Sequence, residues 1–395
     1  MATQVKGVRY TDGVGSSLIK RDVFKSIYNF KPFQTPITQF YWGSKGAKQK
    51  TGNPKFEIQE DVLVLHRFSP TAAYTSAGTT ATITVAAAGV LNVIVGSTLH
   101  NTTTDQNYLV TAVGATTIDV TLLSSGTISN IATTDTFQIL GPGFAEGSAA
   151  AQAISTQSTF PFNYTQILKE SVNMSGTQMA TDNYGGSDWV NQRIKATEQF
   201  KLKIELNSMF GVRNLIGSGS TLTRFSGGLL DQTSGAIGIT DRDQFTGTAF
   251  ASETYFFDTY LKSLFGKGSN EKTLYCGSDA ITGIMNYQKV KQQTKVSERE
   301  YGVDIEYIRT NFGRARIVWY PLLEADQSNW VVGVDRDDYL RYMYLSANNV
   351  NRDMQYQEKL QSPGDDARLD QYLAEIGTRL AGGTQGVHRV LYGGG

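Results

Sequence analysis

The chain is short of the residue types from which most reactive centres are built. One cysteine, Cys276, occurs in 395 residues, which excludes an internal disulfide framework and a cysteine-built metal cluster. Three histidines, His66, His100 and His388, lie far apart and form no HExxH pair. No metal site is expected from them, and each reads as a surface or hydrogen-bonded residue. Proline is scarce, at 8 residues against 40 glycines, a balance that gives many turns and few rigid linkers. No apolar run approaches the roughly 20 residues that span a bilayer. The first residues hold no apolar stretch of a secretory leader, so neither membrane insertion nor export is expected. Charge of one sign is also not in excess, since 36 basic residues meet 36 acidic ones. That balance argues against a dedicated reader of nucleic acid through a basic face.

Catalytic patterns are missing as well. There is no GxxxxGK[ST] phosphate loop, no GxGxxG after a strand and no GxSxG elbow. Ser17 and Lys20 match SxxK, a four-residue pattern expected by chance at this length. Glu60/Asp61 and Asp337/Asp338 are adjacent in sequence; on an extended strand they point to opposite faces and make no acid/base pair. Asn101-Thr102-Thr103 is a glycosylation sequon without meaning in a chain that is not secreted. No catalytic, cofactor-binding or metal-binding residue is assigned, and no enzymatic activity is expected.

What is present is unevenly spread. Between Phe68 and Ala145 there is no Lys, Arg or Glu, and the only acids are Asp105, Asp119 and Asp135. Within this block short β-branched runs recur at Thr80–Val85, Leu91–Val95, Tyr108–Val113, Thr117–Leu122 and Thr136–Leu140, punctuated by glycines. Such runs predict a self-contained small barrel or sandwich set into a different host domain. Outside the block, residues 1–55 carry ten basic groups against two acids, and residues 324–376 carry eleven acids against five basic groups. These stretches are either two solvated surfaces or complementary surfaces of neighbouring copies, with a basic arm near a polyanion as a variant of the second idea.

The host reads as α+β. Residues 1–17 have no periodicity and suggest an extended arm. A short helix is expected at 18–30, stopped by Pro32 and Pro36, with extended segments around a basic loop over 40–55. Tyr164 to Ser175 is strand-like. The longest helix is expected at 188–210: Ser187 suits its N-cap, Asp188 its positive end and Gly211 its C-cap. Val190, Ile194, Thr197, Phe200 and Ile204 fall near one face, and Glu198 pairs with Lys201 on the exposed side. Further helices are expected at 252–265 and 278–293. Strands follow at 273–276, 303–308, 315–320, 330–334, 340–345 and near 387–392. The many tyrosines and phenylalanines supply either core or interface.

The flanks of the charge-poor block carry a resemblance. Phe56-Glu57-Ile58-Gln59-Glu60-Asp61-Val62-Leu63 stands before it. Glu146-Gly147-Ser148 and Asn163-Tyr164-Thr165-Gln166-Ile167-Leu168-Lys169-Glu170-Ser171-Val172-Asn173-Met174-Ser175-Gly176-Thr177 follow it. Thr35-Pro36 precedes them, and the long helix and a Gly227-Gly228-Leu229 turn come after. This order resembles the major capsid (major head) proteins of tailed bacteriophages with the Hong Kong 97-like fold. The resemblance implies an N-terminal arm at 1–38, an extended loop at 39–67 and 146–176, and an inserted all-β domain at 68–145. It further implies a peripheral domain with a spine helix at 177–211, an axial domain at 212–325 and returning peripheral strands at 326–395. The implied function is self-assembly into pentamers and hexamers of an icosahedral head shell around double-stranded DNA, in a virion assembled in the host cytoplasm. Implied partners are many copies of the same chain, a portal protein, separate scaffolding or decoration proteins, and packaged DNA in non-specific contact with the inner face. Lys45, Lys48, Lys50 and Lys55 in the extended loop are the expected assembly-interface residues. No Lys–Asn crosslink is expected. The alternatives are a bacterial encapsulin-type nanocompartment shell and a surface adhesin whose β module binds a receptor.

Overall fold

In the computed structural model the longest helix runs Asp188–Phe210, between the two end signals that bracket it in sequence. Ser187 enters it in extended conformation but makes no capping bond with its side chain. Gly211 closes it for want of space. A Cβ there would stand 2.4 Å from the Asn207 carbonyl and 2.5 Å from that of Ser226. The buried face differs from the expected one: Val190 and Ile194 are 42% and 47% exposed, while Trp189, Ala196, Phe200 and Ile204 point inward. The inward face also holds Glu205 and Ser208, polar residues that hide it from a hydrophobicity pattern. Glu198 and Lys201 do pair, at 3.5 Å.

The structure describes residues 35–394, except 44–45, 62–65, 88–91, 149–152, 183–186, 234–241, 247–249, 288–306, 337–338 and 384. The helix expected at 18–30 lies outside the described residues. Two compact units emerge, Met1–Ile58 with Pro161–Gly395, and Gln59–Phe160.

In the first unit, one sheet has the strand order Lys48–Thr51, Leu340–Ala347, Ala367–Leu380, Gln166–Ser175. The first pair is parallel and the others are antiparallel. The long helix lies on this sheet, with Phe200 stacked on Tyr372 at 6.0 Å between centroids. Around it Ile37, Tyr41, Ile204, Met209, Tyr342 and Leu380 form one core cluster. A second sheet has the order Arg242–Thr246, Arg389–Gly394, Val331–Val334, Glu271–Cys276, Gly313–Trp319, Tyr307–Thr310. Its cover is a π-helical stretch Tyr255–Leu261 that continues as α-helix over Lys262–Phe265. The apolar stripe expected there is inward: Tyr260, Leu261 and Leu264 are fully buried.

Two elements correct the sequence reading. Pro36 starts a helix, Pro36–Gly43, over residues expected to be partly extended. Proline breaks helices in their interior but suits the first position, where its missing N–H is not needed. The 14-residue strand Ala367–Leu380 falls in the stretch where the resemblance implies strands, but no β-branched run in the sequence marks it.

The second unit is antiparallel throughout. Its sheet order is Arg67–Phe68, Phe137–Pro142, Ser97–Asn101, Gln106–Val113, Thr117–Leu122, Thr80–Thr84. The two ends of this order meet at the Pro70–Val85 bridge, where Thr71 N donates to Thr84 O at 2.8 Å. Inside sit Ile83, Leu99, Tyr108, Ile118, Val120 and Phe137, each 1% exposed or less. The Ser97–Asn101 strand has no counterpart in the sequence reading, and the described residues of the expected 91–95 strand are turn or irregular instead. The stem of this unit is pinned by the Glu60–Thr159 bridge and by Thr156 Oγ1 donating to Asp61 Oδ1 at 3.0 Å.

Candidate assembly surface

The four loop lysines do not share one environment. Lys45 lies outside the described residues. Lys48 is half-buried, with its ammonium 2.8 Å from Asp353 Oδ2, 4.7 Å above the Trp42 ring and 5.3 Å from that of Tyr342. The Tyr342 hydroxyl donates to the other Asp353 oxygen at 2.7 Å. Burial alone would raise the Asp353 carboxyl; bonds from Lys48, Tyr342 and Met354 N hold it below its ordinary value. Lys48 therefore uses its charge within its own chain, on an acid of the 324–376 stretch. Lys50 is exposed and pairs with no acid among the described residues. Lys55 is exposed, 2.5 Å from Glu57, and lies over the Phe162 ring at 4.4 Å.

Behind the loop, the Pro36–Gly43 helix is clamped to the long helix by a buried carboxylate. Glu205 Oε1 accepts from Ile37 N at 3.0 Å, and Oε2 accepts from Thr38 N at 2.6 Å and Thr38 Oγ1 at 2.7 Å. These are first-turn N–H groups that have no partner inside their own helix, and a carboxylate at the positive helix end suits them. Burial pushes the Glu205 carboxyl above its ordinary value, although those bonds pull the other way.

The Asn-Tyr-Thr-Gln-Ile segment owes its pattern to a junction. The buried Asn163 amide donates to Gly227 O at 2.9 Å and Thr378 O at 2.7 Å, and its oxygen accepts from Gly227 N and Tyr164 N, both at 2.8 Å. Thr165 Oγ1 reaches Glu375 Oε1 at 3.2 Å, and Gln166 Oε1 accepts from Ser226 N at 3.1 Å. Gly228 N donates to Gly211 O at 2.7 Å, so close that a Cβ on Gly228 would come within 2.8 Å of three backbone atoms. The segment thus ties the Phe162–Tyr164 strand, the end of the long helix and the Ala367–Leu380 strand together. Sequence reasoning saw the order of these pieces but not the asparagine that joins them.

Charge is mostly settled internally elsewhere too. Lys272 and Asp335 pair at 3.0 Å with both side chains fully buried, and His388 Nδ1 accepts from Asp335 N at 3.1 Å. Arg368 pairs with Asp370 at 2.9 Å and Arg352 with Glu375 at 2.5 Å. Among the described residues no cluster of His, Cys, Asp and Glu is arranged to hold a metal, and no helix is long and apolar enough to cross a membrane. What stays open is surface: Lys50 and Lys55 beside the loop, and Val190 and Ile194 one turn apart on the long helix.

No curated protein matches the chain. Among solved structures, the capsid of an empty GTA particle matches with TM-score 0.50 and 9% identity, covering 99% of this chain and 100% of that one. A structure from Gordonia phage Cozz matches at 0.49 and 9% identity over 100% and 97% of the two chains. One from Microbacterium phage Oxtober96 matches at 0.46 and 9% over 96% and 97%. At this identity the first of these matches speaks to the fold alone. The family is carried by sequence: the model described as SU10 major capsid protein matches residues 7–383, and this chain belongs to that family of phage-type shell proteins.

Proposed function

We propose that the chain is the repeating subunit of an icosahedral head shell that self-assembles through pentamers and hexamers and encloses double-stranded DNA. The observation that carries this reading is the family match over residues 7–383. A mixed helix and sheet fold whose work lies in surfaces rather than in a reactive centre agrees with it. In this reading residues 1–38 are the arm, 39–67 and 146–176 the extended loop, and 68–145 an outer module. Residues 177–211 and 326–395 make the peripheral domain, and 212–325 the axial domain at the symmetry axes. Head-to-tail contacts of this kind close into rings when the rotation permits. Lys50 and Lys55 are the loop cations offered to neighbouring copies, whereas Lys48 holds its own subunit together.

Expression of the chain and electron microscopy of the product tests the reading. The expected result is closed icosahedral shells, filled with nucleic acid when made in the infected host. A product that stays monomeric at high concentration, or small shells holding a protein cargo, would overturn it.

A further inference from the structure

We propose that a cavity at one end of the second sheet of the first unit binds a phosphate-type oxyanion. The cavity measures about 210 Å³ and is lined by Arg314, Arg316, Arg336, Thr273, Tyr307 and Phe40, together with Glu271 and Lys272. Its construction follows from strand periodicity. Arg314 and Arg316 are two apart on Gly313–Trp319 and face the same side. Thr273 and Tyr307 sit opposite Arg316 on the two flanking strands. Arg336 comes from just beyond Val331–Val334, and Phe40 from the Pro36–Gly43 helix.

Two of the guanidinium groups rest on aromatic rings. Arg314 lies 3.7 Å over the Tyr307 ring, and Arg336 lies 4.1 Å over that of Phe40. Stacking on aromatic faces fixes the planar forks and leaves their edges to donate. Among the lining residues the one acid is Glu271. Glu271 approaches Arg314 only to 3.9 Å and is 69% exposed. The ammonium of the neighbouring Lys272 and the Asp335 carboxylate cancel each other. Arg336 meets no carboxylate among the described residues. Arg314 Nε is buried with no hydrogen-bond partner, a desolvated donor that calls for an acceptor. Forks of this kind match the oxygens of a phosphate. The cavity admits a compact anion rather than a flat base, because Arg314 already covers the Tyr307 face. The site lies within one chain, so it stands or falls separately from the shell reading.

Inorganic phosphate, free or as part of a nucleic-acid backbone, is the chemistry recognised. The test is titration of the full chain with sodium phosphate at constant ionic strength, followed by calorimetry and ³¹P line broadening. Saturable binding is expected, weakened about tenfold or more in Arg336→Gln and less in Arg314→Lys, which keeps charge but loses the fork. Competition by a DNA duplex would name the nucleic-acid backbone as the source, and its absence a free anion; both support the site. Absence of saturable binding, or equal binding by wild type and Arg336→Gln, overturns it. Loss of shell assembly in Arg336→Gln without phosphate binding would assign the cavity to a neighbour's carboxylate, and also overturns it. Should the variants fail to fold, a density map of the wild-type protein soaked in tungstate decides, by a peak or none in this cavity.

Discussion

Asn163→Ala should destabilise the first unit sharply, because of how its four hydrogen bonds are shared. The two carbonyls that Asn163 serves, Gly227 O and Thr378 O, also accept from Gln232 Nε2 at 2.9 Å and 3.1 Å, so they keep a donor in the variant. The two N–H groups that donate to its side-chain oxygen, Gly227 N in a buried place and Tyr164 N in a half-buried one, lose that acceptor. Each such loss costs about 1–3 kcal/mol, which puts the total at roughly 2–6 kcal/mol. At a urea slope of roughly 3 kcal/mol/M the unfolding midpoint falls by about 0.7–2 M. Tryptophan fluorescence is the right probe, since all four tryptophans, Trp42, Trp189, Trp319 and Trp330, lie in the first unit. Asn163→Asp is a sharper variant. It keeps the accepting oxygen but turns the other toward two carbonyls, so at neutral pH it should be no more stable than the alanine variant. Burial raises the carboxyl above its unfolded value, so the folded form binds the extra proton. Stability of the aspartate variant is therefore regained on acidification and lost as pH rises. An alanine variant within about 0.2 M of the wild-type midpoint, or an aspartate variant without that pH trend, refutes the junction as described.

Four further outcomes follow from other contacts. Glu205→Ala removes three bonds from the start of the Pro36–Gly43 helix, so hydrogen exchange there should quicken by more than about tenfold while the second sheet stays protected. Burial lowers His388 from 6.5 to about 4. The unfolded chain therefore holds a proton between those values that the folded chain does not. Stability present above about pH 6.5 should fall toward pH 4 by roughly 3 kcal/mol, and His388→Gln should flatten that fall in urea titrations. Lys50→Glu with Lys55→Glu should cut shell yield at unchanged subunit melting temperature, while Lys48→Glu should lower the melting temperature itself, placing an acid against Asp353. Replacing residues 61–158 by a short Gly/Ser turn, across strands already paired at Glu60 and Thr159, should leave the tryptophan unfolding transition in place; its loss would show that the first unit needs the second.

The sequence was most legible where a local rule and the global packing ask for the same residue. Gly211 marks the end of the long helix in sequence, and the neighbouring carbonyls leave no room for anything else, although its φ of −53° is not the left-handed one that a helix-ending glycine usually serves. Thr117–Leu122 alternates in sequence and in burial. Legibility failed where packing makes polar residues into core. The inner face of the long helix carries Glu205 because a second helix, more than 160 residues earlier in the chain, needs an acceptor; no periodicity rule places a carboxylate there. Ala367–Leu380 hides for the same reason. Asp370 and Glu375 interrupt its apolar pattern, yet both are buried against Arg368 and Arg352. Arg368 lies in the strand itself and Arg352 lies 23 residues before Glu375, but nothing in composition says that the acids face inward. Ser97–Asn101 has little β-branched character and is a strand because it is flanked on both sides, whereas the more apolar run before it turns.

The basic start and acidic end of the chain invite the idea that copies attract one another through these two stretches. The ion pairs narrow that idea. Lys48 is taken by Asp353, and Asp335, Asp370 and Glu375 are taken by Lys272, Arg368 and Arg352. Such buried or half-buried pairs are barely screened by salt, because the low local dielectric keeps mobile ions out. Exposed charges are screened over about 8 Å at physiological ionic strength. Among the described residues the candidates for contact beyond the chain are then Lys50 and Lys55 on the basic side, and Glu324, Asp326, Asp365 and Asp366 on the acidic side, all exposed. Salt should weaken contacts between copies well before it weakens the subunit, because the two sets of charges differ in burial rather than in number. A shell held by these few exposed groups dissociates at an ionic strength at which the tryptophan signal of the first unit is still native.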